Sequence, residues 1–147
     1  MGINKHNTII VTASTHVKEE MTKVWDKAVE LFGSLVSPII VTELNGYISF
    51  LVATDGSKEN WEESDDGDNS RRILCDFIDT FAYEDGSSSF EYIDVAYGEV
   101  PARIERTNNL HHNLHLKLAN ASAARSERLA GEDKSHWIKP WKVGDYK

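Results

Sequence analysis

The chain has one cysteine, Cys75, among 147 residues. No disulfide can close within it, and no cysteine-based zinc site can form. That points to a reducing compartment, and the cytoplasm is the expected location. There is no apolar run of the roughly 18 residues that a membrane-spanning helix needs. The first residues, Met1-Gly2-Ile3-Asn4-Lys5-His6, lack the apolar core of a signal peptide. Met1-Gly2 opens like a myristoylation signal, but Asn7 stands where serine or threonine is required. Basic charge is short as well: 16 Lys and Arg against 24 Asp and Glu, a formal net charge of −8. A surface of that sign repels phosphates, so neither direct nucleic-acid binding nor docking on anionic lipid is expected. The G-x-S-x-G, P-loop, G-x-G-x-x-G and H-E-x-x-H patterns are all missing. No cofactor and no metal site is implied.

What is present is a run of well-patterned elements. Thr8 to Ala13 is short and β-branched, which predicts a strand. After a cap at Ser14 or Thr15, Val17, Met21, Val24, Trp25, Ala28, Leu31 and Phe32 recur at helical spacing up to Gly33. Pro38 to Glu43 and Tyr47 to Thr54 read as two strands joined at Asn45-Gly46, a pair that tolerates the positive φ of a tight hairpin. Ile73, Leu74, Phe77, Ile78 and Phe81 form a second helical stripe, with a cap expected at Asp68, Asn69 or Ser70. Phe90 to Tyr97 alternates as a strand, with Tyr92, Asp94 and Ala96 on one face and Ile93, Val95 and Tyr97 on the other.

The order over residues 7–98 is β-α-β-β-α-β. It predicts an α+β, ferredoxin-like sandwich: a four-stranded antiparallel sheet with two helices on one face. The expected organisation is a domain over residues 1–101 and a C-terminal extension over 102–147. The extension should hold a helix at about 108–130, where Leu110, Leu114 and Leu118 repeat every four residues, then an aromatic tail at 134–147. Leu110, Leu114, Leu116 and Leu118 also share one parity, so the alternation of a strand fits them too.

Between the third strand and the second helix lies the least ordinary stretch, residues 55–72. It carries seven carboxylates (Asp55, Glu59, Glu62, Glu63, Asp65, Asp66, Asp68) and Trp61. A calcium loop begun at Asp65 would need glycine at its sixth position and glutamate at its twelfth, and the chain offers Ser70 and Asp76. Some of these acids complement the positive end of the helix that follows, and Arg71 and Arg72 are expected to pair with neighbouring acids. Trp61 within a charged rim has the composition of an interface hot spot. The candidate interaction residues are Glu59, Trp61, Glu62, Glu63, Asp65 and Asp66, with Trp137 and Trp141 in the tail. His111 and His115, four apart, are the nearest approach to a zinc pair, but no third ligand accompanies them. Cys75, inside the apolar stripe, is expected to be buried and inert.

The pattern Asp55-Gly56-Ser57-Lys58-Glu59, Trp61, Ser64-Asp65, Gly67-Asp68 and Arg71 resembles a loop of small uncharacterised proteins of bacteria and their phages. The resemblance implies a phage or mobile-element origin and carries no activity and no site residues with it. The expected function is a protein-binding module whose partner presents a basic or nucleic-acid-binding surface. The alternatives are a small metal-dependent hydrolase using the acidic stretch or the His111/His115 pair, and a structural homo-oligomer.

Overall fold

Ten residues of alternating character open the fold. In the computed structural model, which describes residues 2–128, Lys5–Ser14 is strand β1. Asn7, Ile9, Val11 and Ala13 are buried on one of its faces, as the two-residue period of a strand dictates. The Ser14 hydroxyl accepts the His16 amide at 3.2 Å, and a single 3-10 turn leads into helix α1 (Lys18–Phe32). Met21, Val24 and Ala28 lie fully buried along α1 at helical spacing. Gly33, at φ 58°, ends the helix. The Trp25 indole donates to the Ser37 carbonyl at 2.8 Å and pins the chain that leaves it.

Strand β2 (Ile40–Val41) is much shorter than the 38–43 expected; β3 (Tyr47–Val52) follows a hairpin in which Asn45 and Gly46 take φ of 60° and 64°. Helix α2 (Glu62–Asp79), β4 (Phe90–Gly98), β5 (Arg103–Thr107) and helix α3 (Leu110–Arg128) complete the order. Residues up to Asn109 form one compact unit, and a second begins at Leu110. No helix among the described residues is long and apolar enough to cross a membrane.

The fold is α+β, with a five-stranded antiparallel sheet in the order β2-β3-β1-β4-β5. The order differs from the four-stranded plait expected by a fifth strand at the β4 edge. Residues 103–107, assigned from the sequence to the extension, supply it. Arg-Ile-Glu-Arg-Thr has one large apolar residue, too little alternation to register as a half-buried strand. What holds β5 is its ladder with β4, broken by an irregularity between Asp94 and Val95, and a set of ion pairs described below. Residues 110–128 are helical, so the alternation of the leucines is incidental.

The core lies between one sheet face and the two helices α1 and α2. Ile9, Val11, Phe50, Tyr92, Met21, Val24, Leu74 and Ile78 are all below 2% exposed. Each such side chain contributes about 1.5–3 kcal/mol by burial. Cys75 is buried among them, as expected, and burial pushes its thiol up to about 12.

Candidate functional site

The acidic stretch is not a loop down to residue 72. Helix α2 begins at Glu62, two turns before the expected cap. Polar residues without an apolar stripe conceal a helix from periodicity. Yet glutamate is a good helix former, and Glu62, Glu63 and Asp65 sit in the first turn, where the helix dipole favours negative charge. Trp61 is the residue before the helix and caps nothing with its side chain; its carbonyl accepts the amides of Ser64 and Asp65 at 3.1 and 3.2 Å.

The approach to α2 is held by backbone. The Ser57 amide and hydroxyl both donate to Asp55 Oδ1, at 2.8 and 2.7 Å. Asn4 and Lys58 form an isolated antiparallel bridge, and the Glu59 amide donates to the Ile3 carbonyl at 2.9 Å. Gly2 makes that approach possible, since a Cβ there would stand 1.9 Å from the Glu59 carbonyl oxygen. Trp61 is thereby presented at 45% exposure. Glu62, Glu63, Asp65 and Asp66 are exposed beside it. Glu59 is half-buried, its Oε1 lying 3.5 Å from the Ser64 hydroxyl. Of the eight expected interaction residues, Trp61, Glu62, Glu63, Asp65 and Asp66 therefore share an exposed ridge at the start of α2.

Below that ridge, α2 is tied to the sheet by charged groups that the sequence reading did not connect. Arg71 pairs with Asp68 one turn back and reaches toward Asp94 on β4, with Nε 3.8 Å from Oδ2. Gly67 leaves room for this: a Cβ there would meet Arg71 Nη1 and Asp55 Oδ2, each at 3.2 Å. Asp94 is only 7% exposed. Burial raises the pKa of its carboxyl, and the Asn7 amide and Arg71 only partly offset that. Asn7 Nδ2 donates to Asp94 Oδ1 and to Glu105 Oε1, both at 2.8 Å. Glu105 also takes Lys5 Nζ at 2.9 Å and Arg103 Nη2 at 3.0 Å. Partial burial works against the Glu105 charge, but Asn7, Lys5 and Arg103 outweigh it and hold its pKa at about 2. Asp55 follows the same rule: the Ser57 donors and Arg71 overcome its burial and lower its pKa.

A second tie lies further along α2. Arg106 on β5 donates to Asp76 at 2.7 Å, to Asp79 at 2.9 Å and to the Tyr92 hydroxyl at 3.2 Å. Arg72 points along the helix to Asn69 at 2.6 Å and Asp76 at 3.3 Å. The expected pairing of Arg71 and Arg72 with nearby acids is therefore present. The contact from Arg71 to Asp94 was not readable. The sequence places Asp94 with Tyr92 and Ala96, opposite the more apolar Ile93, Val95 and Tyr97, and does not say which face is covered; the structure buries the Asp94 side.

His111 and His115 stand one turn apart in α3. Among the described residues, no three of His, Cys, Asp and Glu group as metal ligands. Trp137 and Trp141 lie outside the described residues, as does the aromatic tail. No protein-family model, curated protein or solved structure matches this chain.

Proposed function

We propose that the chain is a non-enzymatic protein-binding module, built on a ferredoxin-like core extended by one strand, that engages a basic surface through the start of α2. The observation that carries this reading is Trp61, 45% exposed on a held backbone and flanked by four exposed carboxylates. Tryptophan is costly to leave in water and is enriched at interface hot spots. Carboxylates around it steer a positive partner and repel phosphates. The same charge pattern suits occupation of a nucleic-acid-binding surface on a host protein, in keeping with a phage or mobile-element origin. The reading is supported by a ridge whose acids are displayed while Asp68 and Asp55, one side chain away, are engaged by Arg71 and Ser57.

The test is affinity capture from a bacterial lysate with a salt step, followed by titration of the captured protein. A basic protein is expected to bind at low salt and to be released as screening shortens the reach of each charge to about 3 Å at 1 M. Trp61→Ala should weaken binding about tenfold, and Asp65→Lys with Asp66→Lys by a similar factor. Nucleic acid should compete. Binding that ignores salt, or that survives both variants unchanged, overturns the reading.

A further inference from the structure

A short stretch of backbone, residues 2–4, is gripped from both sides where the chain enters β1. On one side, Asn4 bridges to Lys58, and the Ile3 carbonyl takes the Glu59 amide at 2.9 Å. On the other, the Asn4 carbonyl takes the Glu99 amide at 2.8 Å, and Glu99 Oε1 takes the Asn4 amide at 3.3 Å and Asn4 Nδ2 at 2.6 Å. A glycine stands at each approach. A Cβ on Gly98, whose φ is 104°, would lie 2.7 Å from the Asn4 carbonyl oxygen, just as one on Gly2 would lie 1.9 Å from that of Glu59. Backbone contacts that close call for glycine. Residues 53–61, by contrast, form neither helix nor strand apart from the bridge at Lys58. Their last turn passes through Asn60 at φ 73°, and the Trp61 amide closes it on the Lys58 carbonyl at 3.2 Å. The turn that aims Trp61 therefore starts at the residue that Asn4 holds.

We propose that residues 2–4 are a strap that positions the Trp61 ridge, locked on its far side by Glu99. Its release lets the segment before α2 drift while the sheet and helices stay folded. The core cluster, from Ile9 to Tyr92, holds none of residues 2–4, so the strap can come away without opening the core. The consequence for binding rests on the reading above. A strapped Trp61 is already in place when a partner arrives, and the cost of ordering it is not met at binding. With the strap released, the competent arrangement is only a fraction of the population, and the apparent affinity falls by that fraction. Glu99 bonds to the side of Asn4 opposite the Lys58 bridge, so its influence on Trp61 runs through the strap and not through contact with a partner.

Amide hydrogen exchange on the full chain tests this without any partner. In Gly2→Val the new side chain cannot fit, so the Glu59 and Trp61 amides should exchange about tenfold faster, while those of Val11 and Phe50 keep their protection. Glu99→Ala should loosen the same two amides. Glu99→Gln keeps an acceptor oxygen for Asn4 and should restore them. Both Glu99 substitutions remove the same charge, so the difference between them reads the strap. Against the captured basic protein, Gly2→Val and Glu99→Ala should each weaken binding about tenfold, and Glu99→Gln should bind like the native chain. Glu59 and Trp61 amides that stay protected in folded Gly2→Val overturn the proposal, as does a loosened segment that binds with native affinity. Should Gly2→Val lose protection throughout, the Glu99 pair decides, and equal exchange in Glu99→Ala and Glu99→Gln overturns the proposal. A native chain that captures no basic protein overturns the binding reading, and the exchange result then decides by itself whether the strap holds Trp61.

Discussion

Arg71→Met is expected to destabilise the chain by about 2–3 kcal/mol at pH 8, because it removes the nearest cation from a buried carboxylate and leaves only the more distant Lys5 to offset its burial. Asp94 is 7% exposed, and Arg71 is the guanidinium that reaches it from α2. The same substitution releases Asp68 and removes a favourable charge from beside Asp55. Methionine preserves most of the volume and the packing of the stem, so the deficit reads the charge and not a cavity. The pH dependence follows from the signs. Without Arg71, the Asp94 carboxyl titrates higher still in the folded state, so folding takes up a proton and is relieved as pH falls. Asp55 also loses a contribution that the native chain would have lost in acid anyway. Both effects narrow the gap between native and variant as pH falls. Urea unfolding at pH 8 and pH 5 checks this. A deficit that is equal at both, or larger at pH 5, would show that Arg71 acts through packing alone.

Glu105→Gln and Asp94→Asn should shift stability in opposite directions, although Asn7 bridges the two carboxylates. The folded pKa of Glu105 is depressed to about 2. Its contribution is complete above the unfolded value of about 4.3 and is lost as pH falls toward the folded one. Glu105→Gln should therefore lower stability by about 1–2 kcal/mol at pH 7, a figure reduced for partial exposure, and by almost nothing at pH 2. Asp94 has a raised pKa, so its charge opposes folding once pH exceeds that value. Asp94→Asn keeps an acceptor for Asn7 and removes the charge. It should be neutral or stabilising by up to about 1 kcal/mol at pH 8, with no difference below pH 3. Chemical denaturation across that range provides the check. If both variants destabilise equally at pH 8, the two carboxylates do not titrate apart.

The elements that were legible in the sequence are those with an unambiguous period. Helix α1 repeats apolar residues at helical spacing up to Gly33, Asn45-Gly46 makes its hairpin, and β4 alternates. The illegible ones lack such a period. The first two turns of α2 are polar throughout and owe their helicity to propensity, dipole charge and the fastening of residues 58–59 to residues 3–4. β5 is nearly all polar and owes its place to a ladder and to Arg103, Glu105 and Arg106. In both cases the stabilising partners lie far off in the chain, and local pattern carries no trace of them.

The same division holds for the candidate site. By itself the sequence determined its composition: a tryptophan among seven carboxylates, in a chain whose charge turns it away from phosphates. Composition follows directly from the residues. Tertiary structure alone decided which of those acids are displayed and which are engaged. Asp68 is engaged because Gly67 admits Arg71 beside it, Asp55 because it takes the Ser57 amide and hydroxyl, and Arg71 reaches toward Asp94, which the pleat of β4 buries. Glu62, Glu63, Asp65 and Asp66 are displayed because α2 starts early enough to place them on its outer face. A side chain's sign is written in the sequence, but whether the charge is spent on the fold or left for a partner depends on what long-range packing brings within reach.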